Sequence, residues 1–182
     1  MAIIKKAARV IGKTLEFRNV EETDAAFIIS LRGNKTKGEH LNHGSLRIHD
    51  QKKWISEYQK KIDQAYFIIE SQGQKIGTVR LYDASEKSFC WGSWVLAQNA
   101  PFASSIESVL MVYDYAINVL GFSKSHFDVR KKNAKVCSFH ESFGAVRKNE
   151  DDINVYYDIE KEKIISSFKR FNRFLPNPVL VR

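Results

Sequence analysis

The stretch from Phe89 to Val129 constrains this 182-residue chain more than any other. A short run rich in bulky residues (Phe89, Trp91, Trp94) reads as a strand. After the break at Gln98-Asn99-Ala100-Pro101 comes a long helical stripe of Ile106, Val109, Leu110, Tyr113, Ile117 and Leu120, closed by Gly121. Residues 125–129 then return as a strand. Strand, helix and strand in that order form a crossover, which joins parallel neighbours in one sheet. Upstream, residues 66–70 and 75–82 are two short strands joined through Gln72-Gly73-Gln74, a hairpin by pattern. Antiparallel hairpins beside one parallel crossover predict an α/β (mixed α+β) fold: one mostly antiparallel, twisted sheet with helices on both faces.

The remaining segments fit that frame. Residues 15–20 alternate apolar and polar as a half-buried strand, and Thr23 or Asp24 is placed to cap a helix carrying Phe27, Ile28 and Leu31. Asp50 is expected to cap a second helix with Trp54, Ile55, Tyr58 and Ile62 on its apolar face. Residues 133–143 read as a helix closed by Gly144, where a positive φ is easily reached. Two strands surround the acidic turn Glu150-Asp151-Asp152, and the last helix, from 161 to 174, stops before Pro176. The length suits one domain. It is expected to span residues 15–174, with a basic N-terminal tail over 1–14 and a C-terminal tail over 175–182. The N-terminal residues lack a sustained period, so they read as a mobile tail or a strand added to an edge, dispensable for folding, in preference to a membrane-surface helix.

Charge and cysteine content narrow the function. The formal charge is +8 and the pI near 9.4, which admits nucleic acid, an acidic surface or a phosphate-rich small molecule as partner. The basic residues are spread out, with Arg130-Lys131-Lys132 the tightest cluster, and no nucleic-acid reading motif is present. Two cysteines, Cys90 and Cys137, make no disulfide framework and sit at no metal-pair spacing, which predicts a reducing, cytoplasmic setting and no metal. No run of eighteen apolar residues is present, and no secretory signal is expected in the first residues.

Two junctions carry candidate chemistry. Leu96 to Glu107 leads from a strand through small residues into a helix N-terminus, where backbone N–H groups and the helix dipole favour an anion. Val129-Arg130-Lys131-Lys132-Asn133 leads from a strand end to a helix start, followed by Phe139-His140 and Phe143-Gly144-Ala145. Further signals are Phe17-Arg18 followed by Asp24, Leu31-Arg32, Trp54, Gly77-Thr78-Val79 and Asp114-Tyr115-Ala116. Jointly these resemble the GNAT superfamily of acetyl-CoA-dependent N-acetyltransferases, over about residues 15–159. Within it the resemblance is closest to the branch that acetylates ribosomal-protein N-termini.

The resemblance implies a division of labour. The backbone of Val95, Leu96 and Ala97 pairs with the pantetheine arm, and an N–H near Leu96 serves as oxyanion donor. The amides of Ala103, Ser104, Ser105 and Ile106 hold the pyrophosphate, and Asn133 hydrogen-bonds the arm of CoA. His140 stands where many members keep the residue that protonates the departing thiolate, and an ordinary imidazole has a suitable pKa. The family's phosphate loop is built on glycines; here Pro101, Ala103 and Ser105 occupy those places and restrict φ.

The polar loop of residues 35–49 holds Glu39, His40 and His43, which are expected to edge the acceptor cleft. Its basic character suits an anionic acceptor such as a nucleotide-linked amino sugar. A protein N-terminus is the runner-up, and a catalytically degenerate module binding nucleic acid or another partner is the alternative of a different class. A homodimer is left open.

Overall fold

A computed structural model describes residues 3–33 and 47–182 of the chain. Nine strands form one open sheet in the order β7-β8-β6-β5-β4-β3-β2-β1-β9. The strands are β1 (Arg9–Ile11), β2 (Leu15–Asn19), β3 (Ala65–Ser71), β4 (Gln74–Tyr82), β5 (Ser88–Leu96), β6 (Lys124–Arg130), β7 (Val146–Glu150), β8 (Asn154–Glu160) and β9 (Leu180–Val181). Five α-helices accompany them: α1 (Ala25–Arg32), α2 (Ile48–Gln59), α3 (Ser104–Asp114), α4 (Ala134–Ser142) and α5 (Lys161–Arg170). Every described strand pair is antiparallel except β5–β6, the pair that the crossover through α3 joins. The mixed, mostly antiparallel sheet is therefore as the periodicities predict.

Alternation along β3 shows how the layers divide. Tyr66 and Ile68 pack with Ile28 of α1 and with Ile55 and Tyr58 of α2. Ala65, Phe67 and Ile69 go to the other face, into a core with Val109, Val112 and Tyr113 of α3 and Ile164 of α5. The β3–β4 turn uses left-handed conformations at Gln72 (φ 50°) and Gly73 (φ 75°), which match the right-handed twist of a two-residue hairpin. Arg18 and Asp24 form a buried two-contact ion pair at 2.9 and 3.0 Å. Asp24 is the N-cap of α1, but its side chain makes no cap bond there: Oδ2 accepts the Glu21 N–H instead, and Glu21 caps the 3-10 turn Glu22–Asp24 that leads into the helix. α2 likewise begins before Asp50, at Ile48.

The two termini depart from the expectation of tails. β1 lies between β2 and β9, and Ile4, Ala7 and Val10 are buried in the main core. Of the two alternatives for the N-terminal segment, the strand is what forms, and two carboxylates of α3 explain why. Glu107, 1% exposed, accepts the N–H groups of Lys13, Thr14 and Leu15 at 2.7, 2.6 and 3.0 Å. Gly12 permits this approach, since a Cβ there would lie 2.9 Å from the same carboxylate and 2.5 Å from Met111 Sδ. Asp114, two turns further on, accepts the Val179 N–H at 2.7 Å and so seats the segment leading into β9. No helix among the described residues is long and apolar enough to cross a membrane.

Candidate active site

The site begins with one extra residue in β5. Thr78 pairs with Val95 but Arg80 pairs with Gly92, so three steps along β5 oppose two along β4. Ser93 takes up the bulge in the left-handed region, at φ 47°. The facing residues accommodate it: a Cβ at Gly77 would lie 2.4 Å from the Val95 carbonyl oxygen, and Thr78 Oγ1 donates to the Ser93 carbonyl at 2.7 Å. Trp91 and Trp94, three apart, would face opposite sides of a regular strand. The bulge brings them together, with ring centroids 5.8 Å apart.

β5 and β6 pair only at Ser88–Lys124 and Phe89–Ser125. Beyond these pairs the sheet splits, and the split opens a cavity of ≈ 340 Å³. Its two ends differ in chemistry.

At the α4 end, Asn133 and His140 both line the cavity, as their two-turn spacing requires. His140 is 5% exposed and lies 4.5 Å from Phe127 and 5.2 Å from Trp91 between ring centroids. Its Nδ1 has no hydrogen-bond partner. Burial among these rings pushes its pKa down to about 4, so the ring is neutral at pH 7. That corrects the expectation of an imidazolium poised near neutrality. Cys137, one turn earlier, is buried in the core and is not among the residues lining this cavity.

At the other end stand Arg32 from α1, Arg80 and Tyr82 from β4, and Arg130 from the end of β6, with Asp128 of β6 the one carboxylate among the described lining residues. Of the basic trio only Arg130 lines the cavity; Lys131 pairs with Glu150 at 3.0 Å and Lys132 is exposed. Sequence reasoning passed over Arg80. Its signal was a lone arginine between Val79 and Leu81 in a strand whose apolar members are buried.

The β5–α3 junction lies beside the split. Ala97 donates its N–H to the Ile76 carbonyl at 2.7 Å, continuing the ladder to β4. Amide direction alternates along a strand, so Leu96 sends its N–H away from β4, to the side of the split. Trp94 Nε1 donates to Ser108 Oγ at 3.1 Å and ties the bulge to α3. From Trp94 to Leu120 no residue has a positive φ, so Pro101, Ala103 and Ser105 follow this path without strain. The absence of glycine costs the loop no conformation. Of the four amides expected to meet a pyrophosphate, that of Ser104 already donates to the Pro101 carbonyl at 2.9 Å. Val95 and Ser104 are buried, whereas Leu96, Ala97, Ala103, Ser105 and Ile106 are half-buried.

Glu39, His40 and His43 lie outside the described residues. Asp83 is 77% exposed, faces His126 and does not line the cavity. Among the described residues no group of three His, Cys, Asp or Glu side chains is arranged to hold a metal ion.

Sequence comparison identifies the family to which this arrangement of a bulged strand, a split parallel pair and a helix N-terminus belongs. Residues 14–146 match the acetyltransferase (GNAT) domain, and the chain belongs to that family. It is 41% identical to the apo structure of FdhC, a nucleotide-linked sugar GNAT, covering 92% of this chain and 98% of that one with a TM-score of 0.84. The spermidine N-acetyltransferase of Vibrio cholerae, solved with CoA and spermine, shares the fold at 20% identity. It covers 84% of this chain and 98% of that one, with a TM-score of 0.73. The SPbeta prophage-derived uncharacterized N-acetyltransferase YokL of Bacillus subtilis (strain 168) is 21% identical over 142 residues, 76% of this chain and 80% of that protein.

Proposed function

We propose that the chain moves an acetyl group from acetyl-CoA to the primary amine of a nucleotide-linked amino sugar. The observation that carries this reading is the 41% identity to a nucleotide-linked sugar GNAT over nearly the full length of both chains. The cavity supports it. Arg32, Arg80 and Arg130 line one end, which suits an anionic acceptor and repels a polyamine.

The residues then take these parts. The amides of Ala103, Ser105 and Ile106 and the positive end of α3 hold the pyrophosphate of CoA. Val95, Leu96 and Ala97 run alongside the pantetheine arm, Asn133 hydrogen-bonds it, and the Leu96 N–H is directed at the thioester oxygen where negative charge develops. Two features fit such a ligand: the loop reaches its path without strain, and the buried, unpartnered Nδ1 belongs to a His140 that lines the split. The amine attacks in its neutral form, and much of the rate comes from holding both reactants in one cleft. A neutral His140 hydrogen-bonds the departing sulfur, and the proton that the attacking nitrogen loses as the C–N bond forms reaches the sulfur through water as the C–S bond breaks.

The test is release of thiol from acetyl-CoA by the full chain with three acceptor classes: nucleotide-linked amino sugars, spermidine and peptides with free N-termini. Turnover confined to the sugars is expected. Turnover of peptides alone places the chain with the ribosomal-protein N-terminal acetyltransferases. No turnover, together with salt-sensitive capture of nucleic acid, makes it a binding module that has kept the fold.

A further inference from the structure

Arg80 is held in an unusual way for a strand arginine. Its guanidinium carbon lies 5.1 Å from the Trp54 ring centroid and 4.7 Å from that of Tyr82, so two aromatic faces fix its plane. Among the described residues no carboxylate forms an ion pair with it, and its Nε is buried without a hydrogen-bond partner. Burial pushes its pKa down from the usual arginine value, and the more distant charge of Asp63 offsets this only in part. Beside it Arg32 Nη1 contacts Gln51 Oε1 at 3.4 Å, and Gln51, itself 4% exposed, has no partner for its Nε2. Gln51 on α2 and Arg80 on β4 are thus held with a buried donor unused, and Arg32 of α1 stands beside them.

Their side of the sheet assigns the anion. Val79 and Leu81 point into the core beneath α3, so Arg80 points to the opposite face, where Trp54 of α2 and Arg32 of α1 lie. The α3 N-terminus, where the CoA pyrophosphate is expected, is on the far side. The cavity reaches both faces, with His140 at one end and Arg80 at the other. An acceptor entering from the α1–α2 side therefore meets the arginines with its anionic part while its amine reaches the split.

We infer that Arg80, clamped between Trp54 and Tyr82 and assisted by Arg32, binds the diphosphate of a nucleotide-linked acceptor and sets the enzyme's preference for it. This rests on the reading of the acceptor given above. A planar fork fixed in advance suits paired phosphate oxygens, and a lysine ammonium cannot reproduce it.

The experiment measures binding of thymidine or uridine diphosphate, and of inorganic pyrophosphate, to the protein saturated with CoA, so that the CoA phosphate site is filled. Wild type is expected to bind both, the nucleotide more tightly. Arg80→Gln is expected to weaken both by about 10- to 100-fold, the loss of one charge-assisted contact, with CoA binding and Tm retained. Arg80→Lys is expected to recover little of the loss, and in turnover the deficit falls on the acceptor KM. If Arg80→Gln or Arg80→Lys binds the diphosphates as wild type does while wild type acetylates a nucleotide-linked amino sugar, the inference is overturned and the acceptor reading stands. If wild type binds neither probe and acetylates no such sugar, the acceptor reading itself falls.

Discussion

His140 makes the stability of this protein depend on pH in a window of its own. In the unfolded chain its imidazole titrates near 6.5; in the fold, burial among Trp91, Phe127 and Phe139 lowers that to about 4. Between these values the unfolded state binds a proton that the folded state refuses, so stability falls as pH falls. It is fully present above about pH 6.5, and its loss is complete near pH 4. A difference of about 2.5 units at 1.36 kcal/mol each amounts to roughly 3 kcal/mol, a large share of an ordinary domain's stability. Asp24 works in a lower window. Burial alone would raise its pKa, but hydrogen bonds from Arg18, Lys75 and the Glu21 amide leave it below the usual carboxylate value. Its contribution is present above the carboxylate range and fades only at still lower pH.

His140→Phe separates the two effects. The phenyl ring suits the aromatic surroundings and removes the unpartnered Nδ1. Urea unfolding of both proteins from about pH 7.5 to about pH 4 is the assay. The variant is expected to be at least as stable at pH 7 and to gain steadily on the parent below pH 6.5, approaching about 3 kcal/mol near pH 4. Parallel curves would refute the reasoning and show that the ring is hydrated or paired in solution. In turnover the same variant is expected to lose about 10- to 100-fold in kcat, the value of a hydrogen bond to developing charge.

Two further outcomes follow from the latches on α3. Glu107→Gln keeps the shape and one oxygen for the N–H groups of Lys13, Thr14 and Leu15, but it removes the charge they share and the acceptor of the Thr14 hydroxyl; urea unfolding should show a loss of about 1–3 kcal/mol, and an unchanged midpoint would show that the charge is dispensable. Deletion of residues 1–11 removes buried Ile4, Ala7 and Val10 and the strand between β2 and β9. It should abolish the cooperative thermal transition, and a truncated chain melting within about 2 °C of the parent would show that the strand adds nothing.

Local chemistry is what sequence carries well. The hairpin was legible because Gln72-Gly73 encodes left-handed turn geometry, and α3 because its stripe sustains the helical period. Asn133 and His140 were singled out through the family resemblance, and their spacing of two helical turns agrees with a common face. The terminal strands were not legible. Ile4 and Ala7 are buried outside any regular element, so they leave no period, and β9 is only two residues long. What holds them are Glu107 and Asp114, 92 or more and 65 residues away along the chain. A polar residue in an amphipathic helix gives no local sign that its partner is a distant backbone amide.

The bulge at Ser93 is the place where this limit matters most for function. Nothing in Trp91-Gly92-Ser93-Trp94 announces an extra residue; only its pairing with Gly77 and Thr78 across β4 defines it. A register one residue different would send Trp94 to the α1–α2 face and take away the wall beside His140. It would also turn the Leu96 amide back toward β4 and away from the split. Arg80 escaped notice for the related reason that a polar residue alternating with Val79 and Leu81 reads as facing water, whereas here α1 and α2 cover that face. Gly77 and Thr78 therefore belong to the site as much as His140 does, although neither lines the cavity: they fix the register that decides which side chains and which amide the cleft receives.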